Sequence, residues 1–230
     1  GDDALIDRCI VILMSSRALL LVGEPGTAKS MLSELLAAAI SGASTVTIQG
    51  TAGTTEDQIK HSWNYALLLA EGPSTRALVR GPIFNAMQQG LLCRFEEITR
   101  VQPEIQDALI GVLSDKVLHV PELSGSDALV FAAPGFNVLA TANIRDRGVH
   151  EMSSALKRRF NFETVRPIAD RKLETQLVRS QTEALLRHSQ VDVSLGPDVL
   201  ELLVTAFQDL RNGVTVEGVV LEKPTAVMSS

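Results

Sequence analysis

The run Gly23-Glu24-Pro25-Gly26-Thr27-Ala28-Lys29-Ser30 directly follows the apolar stretch Ala18-Leu19-Leu20-Leu21-Val22, and no other feature constrains the chain as strongly. A buried strand, a glycine-rich loop, a lysine and a hydroxyl in that order build a cradle for phosphate groups. Gly23 and Gly26 permit a tight turn, so that successive backbone N–H groups converge on an anion where the next helix starts. That helix is expected to begin near Lys29. The Lys29 ammonium is then in reach of the outer phosphates of a nucleoside triphosphate, and the Ser30 hydroxyl is placed to ligate Mg²⁺. Gly23, Glu24, Pro25, Gly26, Thr27, Ala28, Lys29, Ser30 and Met31 form the candidate nucleotide-binding segment. Ala28 stands where such loops have glycine. Its methyl group suits right-handed helical dihedrals, which is the conformation expected of it at a helix start.

A second run supplies what the loop lacks. Leu91-Leu92-Cys93-Arg94-Phe95 reads as a strand and ends in Glu96-Glu97. In phosphoryl chemistry the first acid of such a pair supports the metal, usually through its water, and the second orients or deprotonates the attacking water. Glu96 takes the place of the commoner aspartate. Its extra methylene moves the carboxylate by about one C–C bond, which is expected to weaken metal positioning and slow turnover.

Helical spacing of Leu5, Ile6, Cys9, Ile10 and Leu13 predicts a helix over about residues 3 to 15. Met31, Leu35, Leu36, Ala39 and Ile40 predict one face of the helix after the loop, closed by Ser41-Gly42, with a short strand over Thr45 to Gln49. Residues 63 to 70 fit either a helix or a hairpin. Gly81 to Gly90 reads as a helix with Pro82 in first position, and a single helix after Pro103 carries Ile105, Leu109, Val112 and Leu113 on one face. Two β-type runs between Lys116 and Ala132 predict a hairpin, and Phe136 to Ala142 predicts a strand leading to Asn143. Alternating helices and buried strands imply an α/β domain with a parallel sheet over residues 1–166. Beyond Arg166-Pro167 the pattern is all-helical. Leu173, Leu177 and Leu185 mark one helix, and Val199, Leu202, Leu203, Ala206 and Phe207 mark another. Residues 167–230 are expected to form a smaller helical unit, incomplete at its C-terminus.

The net charge of −6 and the lack of a lysine or arginine block disfavour nucleic acid as a partner. No apolar stretch is long enough to span a bilayer. Cys9 and Cys93 lie in apolar surroundings, which suits inert buried thiols and a cytoplasmic setting, and the four histidines lack ligand spacing. The chain starts without methionine and stops without a helix-ending signal, so it is expected to be part of something longer.

In its motifs the chain resembles an AAA+ ATPase of the MoxR family, in the helix-two insert group that also holds magnesium chelatase subunits and MCM helicases. Beyond the two motifs above, the likeness rests on Gly81-Pro82-Ile83-Phe84, on Ile98-Thr99-Arg100 with Pro103, Gln106, Ala108 and Leu109, on the hairpin between Lys116 and Ala132, on Ala140-Thr141-Ala142-Asn143, and on Leu156-Lys157-Arg158-Arg159-Phe160. It runs co-linearly over about residues 17 to 166.

The resemblance implies a P-loop NTPase fold with a helical lid, and ATP and Mg²⁺ as cofactors. Lys29 and Ser30 would bind phosphate and metal, Glu96 would support the metal, Glu97 would act as base and Asn143 would sense the γ-phosphate. Arg159, or Arg158 one residue earlier, would be the arginine finger offered to a neighbouring subunit. Lys223 lies where relatives carry a lid arginine but does not match it. The segment between Gly50 and Val79 would hold the insert, with Trp63 and Tyr65 either packed or facing a partner.

The implied activity is Mg-dependent ATP hydrolysis in a ring, hexameric in relatives, that remodels or activates a client protein, with a von Willebrand factor A domain protein as partner. A nucleotide-dependent scaffold with weak or no hydrolysis is the alternative, supported by Ala28 and Glu96. A DNA-acting motor is the third reading, opposed by the negative charge.

Overall fold

A computed structural model of the chain describes residues 2–143, 150–189, 193 and 196–222. Two compact units emerge, one of Gly1–Gly23 with Ala28–Val165 and the other of Glu24–Thr27 with Arg166–Ser230.

The first unit begins with α1 (Asp3–Leu13), β1 (Ala18–Gly23), α2 (Lys29–Ser41) and β2 (Thr47–Gln49). Next come α3 (Glu56–Ile59), β3 (His61–Trp63), α4 (Tyr65–Glu71), β4 (Leu78–Arg80), α5 (Pro82–Gln89) and β5 (Leu92–Glu96). It continues with α6 (Pro103–Asp107), α7 (Ile110–Asp115), β6 (Val117–His119), β7 (Leu129–Phe131), β8 (Asn137–Asn143), α8 (Ser154–Lys157) and β9 (Phe160–Thr164). Five strands form one parallel sheet in the order β2-β5-β8-β1-β9.

Period-two alternation divides the core between the two faces of the sheet. Ala18, Leu20, Cys93, Phe95, Val138 and Ala140 join a cluster with Ile83, Met87 and Leu113 of α5 and α7. Leu19, Leu21, Leu92 and Leu139 pack on the other side with Leu5, Cys9 and Leu13 of α1 and Leu36 and Ala37 of α2. Both thiols are buried, and burial pushes Cys9 up to about 11 and Cys93 up to about 12.

Several local expectations change. The α2 side chains that face the protein are Lys29, Ser33, Leu36 and Ala37, while Met31, Leu35 and Ile40 are exposed. The first half of the helix buries polar residues, of which Ser33 bonds Glu96 and Arg94, so of the expected apolar face only Leu36 is buried. The segment around Trp63 is both kinds of structure in succession: β3 pairs with β4, and α4 follows. Trp63 packs against the core and Tyr65 is exposed. The expected helix after Pro103 is two, because Leu109 N–H donates to Gln106 C=O and tightens the chain to a three-residue step between α6 and α7. The hairpin forms as expected, from β6 and β7.

The second unit contains α9 (Arg171–Ser189) and α10 (Pro197–Asn212). Leu173, Leu177, Leu185, Val199, Leu202 and Leu203 are exposed, and the buried positions are Glu174, Leu200, Val204 and Gln208. Val214 and Val220 form an isolated antiparallel bridge, so the unit is not wholly helical. Lys223 lies outside the described residues.

Candidate nucleotide-binding site

Strands β5, β8 and β1 are neighbours in the sheet, with Gly23 in register with Asn143 and Phe95 in register with Ala140. Gly23, Glu96 and Asn143 therefore share the carboxyl edge of the sheet, where open α/β sheets bind ligands. Glu97 follows directly, with a left-handed backbone of φ 54°. This sharp departure from the strand is braced by Thr141, whose Oγ1 accepts from Glu97 N–H at 3.0 Å. Gly50 closes the back of the turn: its N–H donates to Glu96 C=O at 2.7 Å, and a β-carbon there would come within 2.5 Å of Glu97 C=O.

Glu96 is 4% exposed. Its Oε2 accepts from Ser30 Oγ at 2.8 Å and Thr141 Oγ1 at 2.8 Å, and its Oε1 accepts from Ser33 Oγ at 2.5 Å and the Arg94 guanidinium at 2.9 Å. Burial pushes the carboxyl pKa up, but donation from Ser33, Thr141, Ser30 and Arg94 outweighs it, and the group lies below its ordinary range. Lys29 is buried in the first turn of α2, and its Nζ donates to Gly23 C=O at 3.2 Å. Met31 is exposed in the same turn.

Ser30 and Glu96 thus bring two oxygen donors together, a set that suits Mg²⁺. Among the described residues no group of three or more His, Cys, Asp or Glu side chains could hold a metal ion. One carboxylate and one hydroxyl fit a cation whose remaining ligands are phosphates and water.

The loop Glu24–Thr27 contains Gly26 at φ 78°, and Thr27 Oγ1 donates to Glu24 C=O at 2.9 Å. Ala28 departs from expectation. Its backbone is left-handed, with φ 59° and ψ 27°, a conformation that costs an L-residue about 1 kcal/mol and glycine nothing. The chain must reverse its local twist to enter α2, and the helix does not begin until Lys29.

Arg158 and Arg159 are not in this cluster. Ala18 N–H bonds Arg159 C=O, so the two arginines flank the amino end of β1, and Gly23 is roughly 16 Å farther along the strand. Arg159 is held within its own unit, with Nε on Ser114 Oγ and Nη1 on Ala155 C=O, both at 2.6 Å. Arg158 is exposed. Glu97 carries an ion pair with Arg100 at 2.9 Å.

The family model for the AAA domain of the dynein-related subfamily matches residues 18–160, which run from the start of β1 to the first residue of β9. The chain belongs to that family. A model described as the YehL-like AAA+ ATPase C-terminal domain matches residues 172–230. The uncharacterized protein YehL of Escherichia coli strain K12 is 56% identical over 226 residues, which cover 98% of this chain and 62% of YehL. The AAA chain described here is thus shorter than that relative. Two solved structures share the fold. A proposed ATPase from Cytophaga hutchinsonii has a TM-score of 0.55 at 18% identity, covering 91% of this chain and 59% of its own. NtrX of Brucella abortus, solved with ADP, has a TM-score of 0.60 at 14% identity, covering 88% and 44%. The P-loop fold expected from the sequence, a parallel sheet flanked by helices with a helical C-terminal region, is the AAA+ fold found here.

Four residues of the cluster escaped sequence reading. Arg94 was visible as a charge inside a buried strand, a position that demands partners. Ser33 lies one helical turn after Lys29 and Ser30. Thr141 lies within the strand matched to the sensor segment, and only Arg100 gave no local signal.

Proposed function

We propose that the chain is the Mg-dependent ATP-hydrolysing module of a MoxR-type AAA+ machine, with an α/β domain over residues 1–166 and a helical lid over residues 167–230. The observation that carries this reading is the contact of Ser30 Oγ with Glu96 Oε2 at 2.8 Å, beside the buried Lys29 and directly before Glu97. In this reading the backbone of Gly23 through Met31 and the Lys29 ammonium bind the phosphates, and Ser30 and Glu96 hold the cation. Bound Mg²⁺ would neutralise charge on the phosphates. Glu97 orients the attacking water and accepts its proton, and Asn143 faces the γ-phosphate.

Because Arg158 and Arg159 stand at the opposite end of β1, either can serve only a neighbouring copy, which is the basis for proposing a ring, hexameric by resemblance. The exposed Arg158 is the better placed finger, since Arg159 must first release Ser114 and Ala155. A client protein, with a von Willebrand factor A domain protein as partner, and a cytoplasmic location complete the proposal. Among the described residues no helix is long and apolar enough to cross a membrane.

A second reading, an ATP-dependent scaffold with little turnover, is favoured by the Arg100–Glu97 ion pair, which occupies the candidate base. Steady-state hydrolysis across protein concentration, with mass followed by light scattering, separates the two. A shared-site ATPase gains specific activity as it assembles and loses it in Arg158→Ala. Flat, low activity unaffected by Arg158→Ala and Arg159→Ala supports the scaffold. Loss of labelled ATP binding in Lys29→Ala tests the loop under either reading.

A further inference from the structure

Arg94 has no role in the mechanism above, yet its side chain makes four hydrogen bonds, as many as the Glu96 carboxylate. It is 8% exposed, in the middle of a strand buried along its whole length. Its Nε donates to Ser33 Oγ at 3.0 Å, Nη1 to Ser44 C=O at 3.1 Å, and Nη2 to Ser30 C=O at 3.2 Å and Glu96 Oε1 at 2.9 Å. Arg94 and Glu96, two residues apart on one strand, point to the same face of the sheet, toward α2.

The charge consequence is direct. A lone buried carboxylate beside a serine hydroxyl would attract a free divalent cation. Here that carboxylate already has a cation of its own, so the pair is neutral before any metal arrives. The division of its oxygens is also uneven. Oε1 is fixed by Arg94 and Ser33, whereas Oε2 is bonded only to the hydroxyls of Ser30 and Thr141, which can rotate and exchange partners.

We propose that Arg94 is a positioning residue that, acting through Glu96, keeps the empty site from capturing a free divalent cation, so that the cation enters together with the nucleotide phosphates. The inference rests on the nucleotide-binding reading above. Repulsion between Arg94 and an incoming cation is offset only when the phosphates add their negative charge. Oε1 stays with Arg94 throughout, and Oε2 is free to turn toward the metal side of Ser30.

The test is Mn²⁺ binding to the full chain without nucleotide, followed by electron paramagnetic resonance. The parent is expected to bind weakly, and Arg94→Met to bind at least about tenfold tighter, because a neighbouring positive charge is gone while three hydroxyls still hold Glu96. Arg94→Lys, which keeps the charge, should bind like the parent. Adding Glu96→Gln to Arg94→Met should abolish the gain. A merely structural role predicts the opposite sign, with metal binding weakened in Arg94→Met.

The proposal is overturned if Arg94→Met keeps the parental circular dichroism and binds Mn²⁺ no tighter. It is equally overturned if the nucleotide-free parent takes up one Mn²⁺ stoichiometrically at about 10 µM protein, a result that does not depend on any variant folding. Failure of the parent to bind labelled ATP would break the nucleotide reading instead. The Mn²⁺ comparison on the empty protein is decided without it.

Discussion

Each of the two units buries a carboxylate against an arginine, and the surroundings of the two pairs differ in kind. In the first unit Glu96 lies at the end of a strand and takes hydroxyl donation from α2 and β8 besides its bond to Arg94. In the second unit Glu174, 2% exposed, is gripped by Arg211 at 2.6 and 2.7 Å and by Gln208 Nε2 at 2.6 Å, while Arg171 holds the other end of that amide at 3.2 Å. Glu174 and Arg171 are on α9, and Gln208 and Arg211 are on α10, so the network fastens two helices to each other. Hydroxyl donors swing at little cost, but a guanidinium and an amide caught between two helices do not. A buried acid–arginine pair is therefore no sign of chemistry by itself. What distinguishes Glu96 is that three of its four partners are hydroxyls and that one of them, Ser30, follows Lys29 in the first turn of α2.

Four experiments would break or sharpen this contrast. The largest effect is expected at Glu97: Glu97→Gln should lower steady-state ATP turnover by about 10²- to 10⁴-fold while labelled ATP still binds, and unchanged turnover would move the base elsewhere. Glu174→Ala leaves Arg211, whose side chain is 13% exposed, without its partner and should cost about 3 kcal/mol in urea unfolding of the second unit. A loss below 1 kcal/mol would deny the pair its fastening role.

The acid limb of stability probes Glu96. Its folded pKa is depressed below the ordinary 4.5, so the stabilisation is complete above that value and is lost as pH falls through the folded pKa. Unfolding free energy should accordingly fall more steeply in acid for the parent than for Glu96→Gln, and identical slopes would show that the hydroxyl cradle does not favour the ionised form. The smallest change is expected at Ala28. Ala28→Gly should stabilise by about 1 kcal/mol in thermal unfolding, because glycine adopts φ 59° without strain; a destabilised variant would mean that the left-handed backbone at Ala28 is not strained.

Much of the fold was legible because its signals are local. A six-residue strand, Ala18–Gly23, followed by a loop with Gly26 and then a lysine needs no distant contact to be read, and the same holds for the acids that end β5 and the proline that opens α5. The buried faces of α2, α9 and α10 were not legible. Periodicity assumes that a helix hides its apolar side, whereas α2 also buries Lys29 and Ser33, α9 buries Glu174 and α10 buries Gln208 beside Leu200 and Val204. Of the candidate site, Lys29, Ser30, Glu96, Glu97 and Asn143 could be named in advance, yet of the four groups that bind the Glu96 carboxylate only Ser30 had been set beside it, and Ser33, Arg94 and Thr141 had not.

The amino-acid sequence by itself determined the first strand, the glycine-rich loop and the helix after it, the strand that ends in Glu96-Glu97 and the hairpin between Lys116 and Ala132, since each depends on neighbours in the chain. Only the tertiary structure decided the handedness of Ala28, the distance of Arg158 and Arg159 from the site, and the company of Glu96. The last is the clearest case: Ser30, Ser33 and Thr141 reach that carboxylate across 66, 63 and 45 residues of chain. Hydrogen bonds act over about 3 Å, so partners so far apart in sequence become neighbours only when the parallel sheet and the helix packed on it bring them together.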